Sequence, residues 1–393
     1  MTLAHFDQSL TDLIFIQDPY PSYERARTLG DVVWWDALGM PAAISHSVVS
    51  AILKDRRFGR EVPAEQVHPC PAHLAPFYQI ETHSMLELEP PRHTRLRKLV
   101  LRAFTSARIA GLAPEIENLA TELVQALPDG PVDFLVAVGQ PLPARIICRL
   151  LGVPEDDAPQ LVSWSNAMVA MYQAGRSKAS ERKAVAATEE FRSYLNEVIV
   201  HKRQHPGEDL LSALSDVEGD ALSPDELIAN VILLLNAGHE ATVHTLGNAV
   251  RLLAGSSHRA VTQDETTLPG LVEEVLRFDP PLHIFTRYAY EDVAIESATI
   301  EKGQQIACVL GAANRDPAVW PDAAQFNPTR PAKTHTSFGA GLHFCVGAPL
   351  ARLEIQIALK TLFRHCPDLT IVEPPRFADI YHFHGLERLM IAR

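Results

Sequence analysis

The feature that most constrains the fold is one long apolar pattern of helical period, which begins at Ser223 and continues to about Leu253. Its start is well marked, because Ser223 is a favourable N-cap, Pro224 suits the first helical position, and two acids follow in the first turn. At 1.5 Å per residue, a helix of this extent is about 45 Å long. Such a helix must cross a whole domain, so we expect the rest of the chain to be arranged around it.

The middle of this pattern departs from the rules for a buried helix. Residues Asn236 to Glu240 place a glycine and an acid where a core helix is normally rich in leucine. A glycine in a helix interior costs about 1 kcal/mol relative to alanine. We therefore expect a bulky group to lie against this part of the helix.

The composition is that of a globular protein, with 393 residues of which 47% are hydrophobic and 21% charged. Helical periodicity dominates the middle of the sequence, and strand-like alternation is confined to short pieces near both ends. We therefore predict a mainly α fold in a single domain over residues 1–393. Its β-rich portion is expected mainly at about 30–60, 282–310 and 370–393.

Near the N-terminus, the pattern predicts a short helix over Tyr20–Leu29 followed by a hairpin of Val32–Trp35 and Pro41–Ser45. The polar, irregular stretch Gln173–Ser180 is expected to be a surface loop.

Charge, hydropathy and cysteine usage exclude several classes of protein. The net charge of −13 argues against a nucleic-acid-binding protein, which normally needs a basic face. Apolar runs such as Val231–Leu235 are far shorter than the roughly 20 residues of a membrane span. Residues 1–18 contain no Lys or Arg, so they predict neither a signal peptide nor an anchor. The five scattered cysteines argue against a secreted disulfide scaffold and favour a cytoplasmic location.

A second helix is predicted over Leu268–Phe278, and it contains Glu274 and Arg277. A carboxylate and a guanidinium three residues apart share one helix face. Taken alone, such a pair is most often solvated and contributes a few tenths of a kcal/mol.

The most informative segment is the glycine-rich run 338–347 around Cys345, which is followed by a helix-forming stretch over 348–363. Gly339 and Gly341 permit tight or left-handed backbone, and Gly347 permits a close approach. Loop amides and the N-terminus of the next helix would then surround the sulfur and stabilise a thiolate. Such a thiolate suits a soft, large cofactor.

Other interpretations of this segment stay open at the level of the residues alone. Gly339 and Gly341 begin a dinucleotide fingerprint, although Phe344 occupies its third glycine position and no strong strand precedes it. Cys345 and His343 could form a nucleophile and its base, but no third group that orients the base is evident. They could also be two ligands of a zinc ion, but the other cysteines show no spacing that would supply the remaining ligands. A merely structural buried cysteine is the remaining alternative.

The run Phe-x-x-Gly-x-His-x-Cys-x-Gly at 338–347 resembles the haem-binding loop of the cytochrome P450 superfamily. Glu274 to Arg277 resembles the family's Glu-x-x-Arg helix, and Phe326 to Arg330 matches the segment whose arginine joins that pair in a buried network. Ala313 to Pro317 is typical of the soluble bacterial members, and Ala237 to Glu240 sits where the family has its oxygen-binding helix. The resemblance covers essentially the whole chain.

The resemblance implies the P450 fold, a large helical domain with a long central helix over the haem and a small β-rich region. It also implies a haem b cofactor (iron protoporphyrin IX), with Cys345 as the axial ligand of the iron and Phe338 packed beside the porphyrin. The residues that match the family's partners for the two haem propionates are His93, Arg97, Arg287 and His343.

The activity implied is that of a haem-thiolate monooxygenase, which inserts one oxygen atom of O2 into a hydrophobic organic substrate by hydroxylation or epoxidation. Its electrons would come from NAD(P)H through a ferredoxin reductase and a ferredoxin. Residues 90–114 hold six basic residues and no acid, so this run either docks the acidic ferredoxin or is an ordinary solvated face. Peroxide-driven oxidation and a non-catalytic haem protein are the alternatives, and the acid Glu240 argues against the second.

For oxygen activation, the resemblance implies that Ala237 and Gly238 leave space for O2 and that Glu240 supplies protons. Most relatives have Thr directly after that acid, whereas this chain has Ala241 and then Thr242. The hydroxyl of Thr242, the fourth candidate catalytic residue, is thereby moved about 100° around the helix and cannot take the usual place unless the helix is locally distorted. We therefore expect ordered water or a substrate hydroxyl to complete the proton relay.

Contacts with the substrate are expected from the segments that vary most within the family, which are residues 61–85, 168–175, 282–285 and 383–386. The apolar residues of these segments would line the substrate pocket, but each is equally well explained as an ordinary residue of the protein core. These residues are Met85, Met168, Met171, Tyr172, Ile284 and Phe285.

Overall fold

The structure is a computed structural model that describes residues 3–173, 176–216, 222–296, 298–331, 333–380 and 383–393. Its internal contacts group the chain into two compact units. The mixed unit, which contains the strands, comprises Met1–Gln66, Glu117–Gly139 and Ala241–Arg393. The helical unit comprises Val67–Ile116 and Gln140–Glu240. The single domain expected over the whole chain stays a prediction.

Helices dominate the described part of the chain. In chain order they are α1 (Leu13–Gln17), α2 (Tyr20–Leu29), α3 (His46–Lys54), α4 (Ala75–Glu81), α5 (Arg92–Ala103), α6 (Ser106–Gly111), α7 (Ala113–Gln125), α8 (Pro141–Leu151), α9 (Ala158–Val169), α10 (Lys178–Gln204), α11 (Leu210–Asp216), α12 (Pro224–Leu253), α13 (Leu268–Phe278), α14 (Leu310–Ala313) and α15 (Ala348–His365).

The strands are short. In chain order they are β1 (His5–Phe6), β2 (Val32–Trp35), β3 (Met40–Ala43), β4 (Phe58–Gly59), β5 (Val132–Asp133), β6 (Ile284–Ala289), β7 (Val293–Ile295), β8 (Ala298–Ile300), β9 (Gln305–Val309), β10 (Thr370–Ile371), β11 (Arg376–Phe377), β12 (Leu386–Arg388) and β13 (Met390–Ala392).

Six of these strands form one sheet in the order β1-β2-β3-β9-β6-β4. β1 runs parallel to β2 and β3 runs parallel to β9, and the other pairs are antiparallel. A second sheet has the order β10-β13-β5, and β11 with β12 and β7 with β8 form two further ribbons.

Strand β9 shows why this sheet is the core of the mixed unit. Ile306 and Cys308 belong to one buried cluster, whereas Ala307 and Val309 belong to another. Since successive side chains of a strand point to opposite faces, the sheet is covered on both faces at β9. This explains a run of four fully buried residues in so short a strand.

The helical unit is built around α10, which buries a stripe that includes Ala187, Phe191 and Leu195. These positions are four residues apart and so lie on one face. Against that face packs α9, whose Trp164 ring lies 5.2 Å from the Phe191 ring, centroid to centroid.

Helix α12 has the predicted bounds, and its start is a capping box. The Glu226 amide donates to Ser223 Oγ at 3.2 Å, and the Ser223 amide donates to Glu226 Oε2 at 3.0 Å. Helices α2 and α13 and the β2–β3 hairpin also lie where the sequence predicts them.

One local prediction was wrong in detail, because helix α10 begins at Lys178, inside the stretch Gln173–Ser180 expected to be a loop. Residues 174–175 of that stretch lie outside the described residues. Strands were expected mainly in three regions, and the two-residue strands β1 and β5 lie outside them. None of the described helices is long and apolar enough to cross a membrane.

Candidate active site

The loop around Cys345 is closed by the Cys345 amide, which donates to the Phe338 carbonyl at 2.9 Å. Gly339 and Gly341 have φ values of +68° and +66°, so both use the left-handed region that favours glycine. A Cβ at Gly341 would also overlap the carbonyl oxygen of Leu53 at the end of α3. The loop conformation therefore requires glycine at 341 on two grounds.

Among the cysteines, Cys345 has the setting of a metal ligand. It is exposed, and Gly347 beside it is the N-cap of α15, so the sulfur lies next to a helix N-terminus that favours a thiolate. Burial raises the pKa of Cys148 and of Cys308 to about 12, so both remain thiols. Cys70 is also exposed, but it lies in an irregular segment. Cys345 thus fits as the thiolate ligand of haem iron, and Cys148 and Cys308 do not.

The zinc alternative finds no support at this loop. The described residues contain one group of three clustered side chains that could ligate a metal, and Cys345 is not among them.

Phe338 is held by polar neighbours on α15 and α13. The Arg352 guanidinium lies 4.5 Å from the centroid of the Phe338 ring, and it donates to both carboxylate oxygens of Glu273, at 2.6 and 2.9 Å. Burial alone would raise the pKa of Glu273, but Arg352 and His335 outweigh it and lower the pKa to about 2. This side of the loop is therefore fixed to α13 by an ion pair.

The Glu-x-x-Arg pair is buried and not solvated. Glu274 and Arg277 are 3% and 2% exposed, and Arg277 donates to the two carboxylate oxygens at 2.7 and 2.8 Å. Arg330 joins Glu274 at 3.3 Å. The buried network implied by the resemblance is thereby confirmed.

A second set of hydrogen bonds ties the segment before the loop to the same helix. Ser337 Oγ donates to the carbonyl of Leu276 at 2.7 Å, and Asn314 Nδ2 donates to Ser337 Oγ at 2.8 Å. Asn314 Oδ1 accepts from the Thr336 amide at 2.8 Å. Helix α13 therefore positions the backbone from which the cysteine loop departs.

Two of the predicted propionate partners lie in the mixed unit. Arg287 on β6 is 2% exposed, and a guanidinium so buried is stabilised by an anion such as a carboxylate. The preceding Phe285 lies 3.4 Å from where a Cβ of Gly339 would be, so β6 reaches the cysteine loop. His343 is half-buried on a short helical turn within that loop.

The other two predicted partners, His93 and Arg97, lie on α5 in the helical unit. They are four residues apart and so share one face, where His93 is 2% exposed and Arg97 is half-buried. Neighbouring Arg95 is engaged within the chain, because its Nη1 donates to Glu226 Oε2 at 3.2 Å.

The residues expected at the oxygen site lie on α12. Ala237 is exposed, between half-buried Asn236 and Gly238 and with buried Leu235 and His239 beyond them, so this turn borders open space. A Cβ at Gly238 would lie 3.2 Å from Ile147 Cδ1, so the glycine also allows α8 to approach closely. Burial raises the pKa of the half-buried Glu240 to about 7.

Helix α12 is continuous through this region. Thr242 is 4% exposed and stays about 100° around the helix from Ala241. The Ala241 carbonyl accepts a hydrogen bond from Thr245 Oγ1 at 2.8 Å. The structure shows no distortion at these residues that would bring the Thr242 hydroxyl to position 241.

Sequence reasoning missed two buried polar features. Glu354 on α15 is 1% exposed, and burial raises its pKa to about 8. Asp279, His283 and His384 form the cluster mentioned above, with ligand atoms within 4.8 Å of one another. The spacing of Asp279 and His283, directly after α13, was the one available signal, and nothing in the sequence links them to His384.

Comparison with known proteins agrees with this geometry. The family model described as Cytochrome P450 matches residues 261–369. The chain is 37% identical over 380 residues to the cytochrome P450 monooxygenase PikC of Streptomyces venezuelae, covering 92% of this chain and 87% of PikC. It is 36% identical over 335 residues to the mycinamicin IV hydroxylase/epoxidase of Micromonospora griseorubida, covering 83% of this chain and 82% of that protein.

Among solved structures, P450BioI in complex with an acyl carrier protein that carries hexadec-9Z-enoic acid is similar, with a TM-score of 0.91 and 31% identity. The match covers 96% of this chain and 99% of that chain. The predicted fold class is thus confirmed. Since the relatives match most of this chain at 36–37% identity, and the loop around Cys345 and the buried Glu-x-x-Arg network agree with them, the chain belongs to the cytochrome P450 family and is a haem-dependent monooxygenase of the bacterial type.

Proposed function

We propose that this P450 hydroxylates or epoxidises a hydrophobic organic substrate on a haem b held by Cys345, with electrons from NAD(P)H through a ferredoxin reductase and a ferredoxin. The observation that carries the proposal is the exposed Cys345 in a glycine-shaped loop at the start of α15. Two relatives named as a monooxygenase and a hydroxylase/epoxidase support this type of reaction. The free cysteines are in keeping with a reducing, cytoplasmic location.

When bound, the haem supplies the iron chemistry that activates O2. The chain would supply the thiolate of Cys345 and hydrogen-bonding partners for the propionates. In the mixed unit these partners are Arg287 and His343, and in the helical unit they are His93 and Arg97. Binding of the two propionates by these side chains would fix the orientation of the haem.

Glu240 is the proposed proton donor. With a pKa of about 7, it can release and take up a proton near neutral pH, as a general acid must. Ala241 supplies no hydroxyl beside it, and Thr242 lies about 100° further around the helix. We therefore propose that ordered water or a hydroxyl of the substrate completes the proton path.

The substrate is proposed to contact residues 282–285 and 383–386. Ile284 is 7% exposed and Phe285 is half-buried, so this wall is apolar. In the helical unit, Met168 and Met171 are so fully buried that core packing explains them equally well.

A second candidate function is oxidation driven by hydrogen peroxide, and Ala241 is the observation that favours it. Peroxide brings its own protons and electrons, so a weakened proton path matters less to such an enzyme. Product formed with hydrogen peroxide alone, and not with NADPH and the two redox proteins, would select this candidate. Substrate-induced Soret shifts would identify ligands in either case.

The test of the proposed function is the carbon monoxide adduct of the ferrous protein, expressed with ample haem precursor. The adduct is expected to show the thiolate-type spectrum in the wild-type protein and in Cys70→Ser, a control at the other exposed cysteine. Cys345→Ser is expected to lose it. A colourless wild-type protein, or a histidine-type spectrum, would overturn the proposal.

A further inference from the structure

The two segments proposed to contact the substrate are joined to each other within the mixed unit. Leu282 and Phe383 form an antiparallel bridge, and the His384 amide donates to the Pro281 carbonyl at 2.8 Å. Asn248 on α12 adds a side-chain link, because its Nδ2 donates to the carbonyls of both Asp279 and His384, at 3.3 and 3.0 Å.

A buried hydrogen bond between side chains lies beneath this junction. His384 Nδ1 and Asp279 Oδ1 are 2.7 Å apart, and the two residues are 7% and 1% exposed. Tyr20 donates to the same carboxylate oxygen at 2.8 Å, and Arg251 donates to the other at 2.8 Å. The carboxylate is therefore held from three elements.

The charges fix the direction of this bond. Burial alone would raise the pKa of Asp279, but His384, His283 and Arg251 outweigh it and hold the pKa well below its usual value. An ionised carboxylate only accepts, so His384 Nδ1 donates. His283 completes the cluster: burial and nearby His384 lower its pKa to about 4, and its Nδ1 lies 2.9 Å from Tyr23 Oη.

Movement of His384 would be transmitted directly to its neighbours. The Phe383 ring lies 5.2 Å from the His244 ring, centroid to centroid. A Cβ at Gly385 would overlap the imidazole of His244, so the backbone at 385 is in close contact with α12. The His384 ring itself stacks on Phe377 at 3.7 Å between centroids. Little room remains for residues 383–385 to shift without a change at the proposed substrate wall.

We propose that the hydrogen bond from His384 to Asp279 is a positioning device that sets residues 383–386 against residues 282–285 and thereby controls which substrates fit and how they are oriented. The inference rests on the proposed function, because it takes both segments as substrate contacts. Asp279 and His384 act through the segments that carry them.

A metal ion in this cluster is the competing explanation, since the ligand atoms of Asp279, His283 and His384 lie within 4.8 Å of one another. The charges oppose it. Arg251 already pairs with the carboxylate at 2.8 Å, and the guanidinium of Arg315 lies 3.2 Å from the centroid of the Tyr20 ring. A dication would add to two cations in a buried region, which is costly.

The test compares His384→Asn with His384→Leu. Asn and Leu have nearly the same shape, and both lose the stacking on Phe377, but only Asn can donate to Asp279 from the position of Nδ1. The readout is the ratio of two dissociation constants from Soret titrations, for 4-phenylimidazole and for imidazole. Only the larger probe requires an intact pocket wall.

We expect His384→Leu to change this ratio by about tenfold, and His384→Asn and Tyr23→Phe to stay near the wild-type value. Tyr23→Phe is the control, because it removes a hydrogen bond to His283 and leaves the His384–Asp279 pair intact. The carbon monoxide spectrum and the melting temperature of each variant show that haem and fold are retained.

Equal ratios for the Asn and Leu variants would overturn the inference, whether both match the wild-type value or both depart from it. One equivalent of a transition metal in addition to the haem iron, lost in Asp279→Asn, would overturn it in favour of a metal site. Failure of the proposed function is distinct, because the wild-type protein would then show no thiolate-type spectrum.

Discussion

The guanidinium of Arg277 makes its hydrogen bonds inside the protein, to Glu274 and to carbonyls that include those of Asn314 and Ala323. The sequence shows that Glu274 and Arg277 share a helix face. It does not show burial, since the carbonyl partners come 37 and 46 residues later in the chain. The resemblance to a family supplied what local spacing alone did not.

Removal of this guanidinium is expected to destabilise the protein strongly. Arg277→Met leaves Glu274 as a buried charge with one cationic partner fewer, which costs about 3–5 kcal/mol. Arg192→Met, at an exposed ion pair with Asp225, is the control and is expected to cost less than about 1 kcal/mol. Urea unfolding of the holoprotein measures both values. Equal losses would contradict the buried network.

Glu354 predicts a dependence of stability on pH. Burial raises the folded-state pKa of Glu354 to about 8, above the unfolded value, so the carboxyl is mostly neutral in the folded state below that pH. Its effect on the free energy of unfolding is therefore most favourable below the ordinary pKa, becomes less favourable as pH rises towards 8, and levels off above that.

Glu354→Gln removes this titration. Between pH 5 and pH 8 the wild-type protein is expected to lose more stability than the variant, by up to about 1.4 kcal/mol per pH unit. Urea unfolding at both pH values gives the difference. Glu197→Gln, on an exposed part of α10, serves as the control. An identical pH dependence in wild type and Glu354→Gln would refute the assignment.

The start of helix α12, and its end at about Leu253, were predictable because the signals are local: a serine cap, a proline at the first position and an apolar pattern of helical period. Strands β1 and β5 contain two residues each and offer no period to detect. β5 exists because it pairs with β13, which lies more than 250 residues later. Likewise, the Asp279–His384 pair spans 105 residues.

In α12, Ala241 stands where most relatives have Thr, and this difference allows a test of the proton path. Ala241→Thr is expected to raise the fraction of NADPH consumption that yields product, because it adds a hydroxyl next to the acid. Glu240→Gln is expected to lower turnover about a hundredfold or more, since it removes a general acid with a pKa of about 7. Coupling is measured as product formed per NADPH oxidised.

The relay proposal would be abandoned if Ala241→Thr left coupling unchanged or worse while Glu240→Gln left turnover intact. Thr242→Ala is the matched control on the same helix. Because the Thr242 hydroxyl lies about 100° around from position 241, its removal is expected to change coupling little.

At the scale of the whole molecule, the class of fold could be predicted from helical periodicity and from the family resemblance. The division into two compact units could not be predicted from the sequence. The mixed unit gathers three separate stretches of the chain, and α12 contributes residues to both units. Such grouping depends on tertiary contacts, which have no counterpart in a local pattern.

The distribution of charge over the molecule predicts how the proposed acidic ferredoxin would associate with it. The chain carries a net charge of −13, yet α5 exposes Lys98 and Arg102 on a helix without acids. Lys98→Glu with Arg102→Glu is expected to slow electron delivery from a ferredoxin by tenfold or more at low salt, and much less at high salt.

The measurement is the rate of ferrous carbonyl formation as a function of ferredoxin concentration. The control is Arg182→Glu with Lys183→Glu, which makes the same change of charge on α10. Equal slowing by both double variants would mean that net charge alone, and not this helix, governs association. Peroxide-driven turnover, which needs no partner, is expected to be unaffected.

The contact between Gly341 and the carbonyl of Leu53 also has a consequence for recombination of this enzyme with its relatives. A chimaera that takes the cysteine loop from one parent and α3 from the other would combine two backbones that did not evolve in contact. Chimaeras that take both the cysteine loop and α3 from one parent should therefore bind the cofactor more often than chimaeras that take them from different parents. These two segments, although distant in sequence, should be exchanged together.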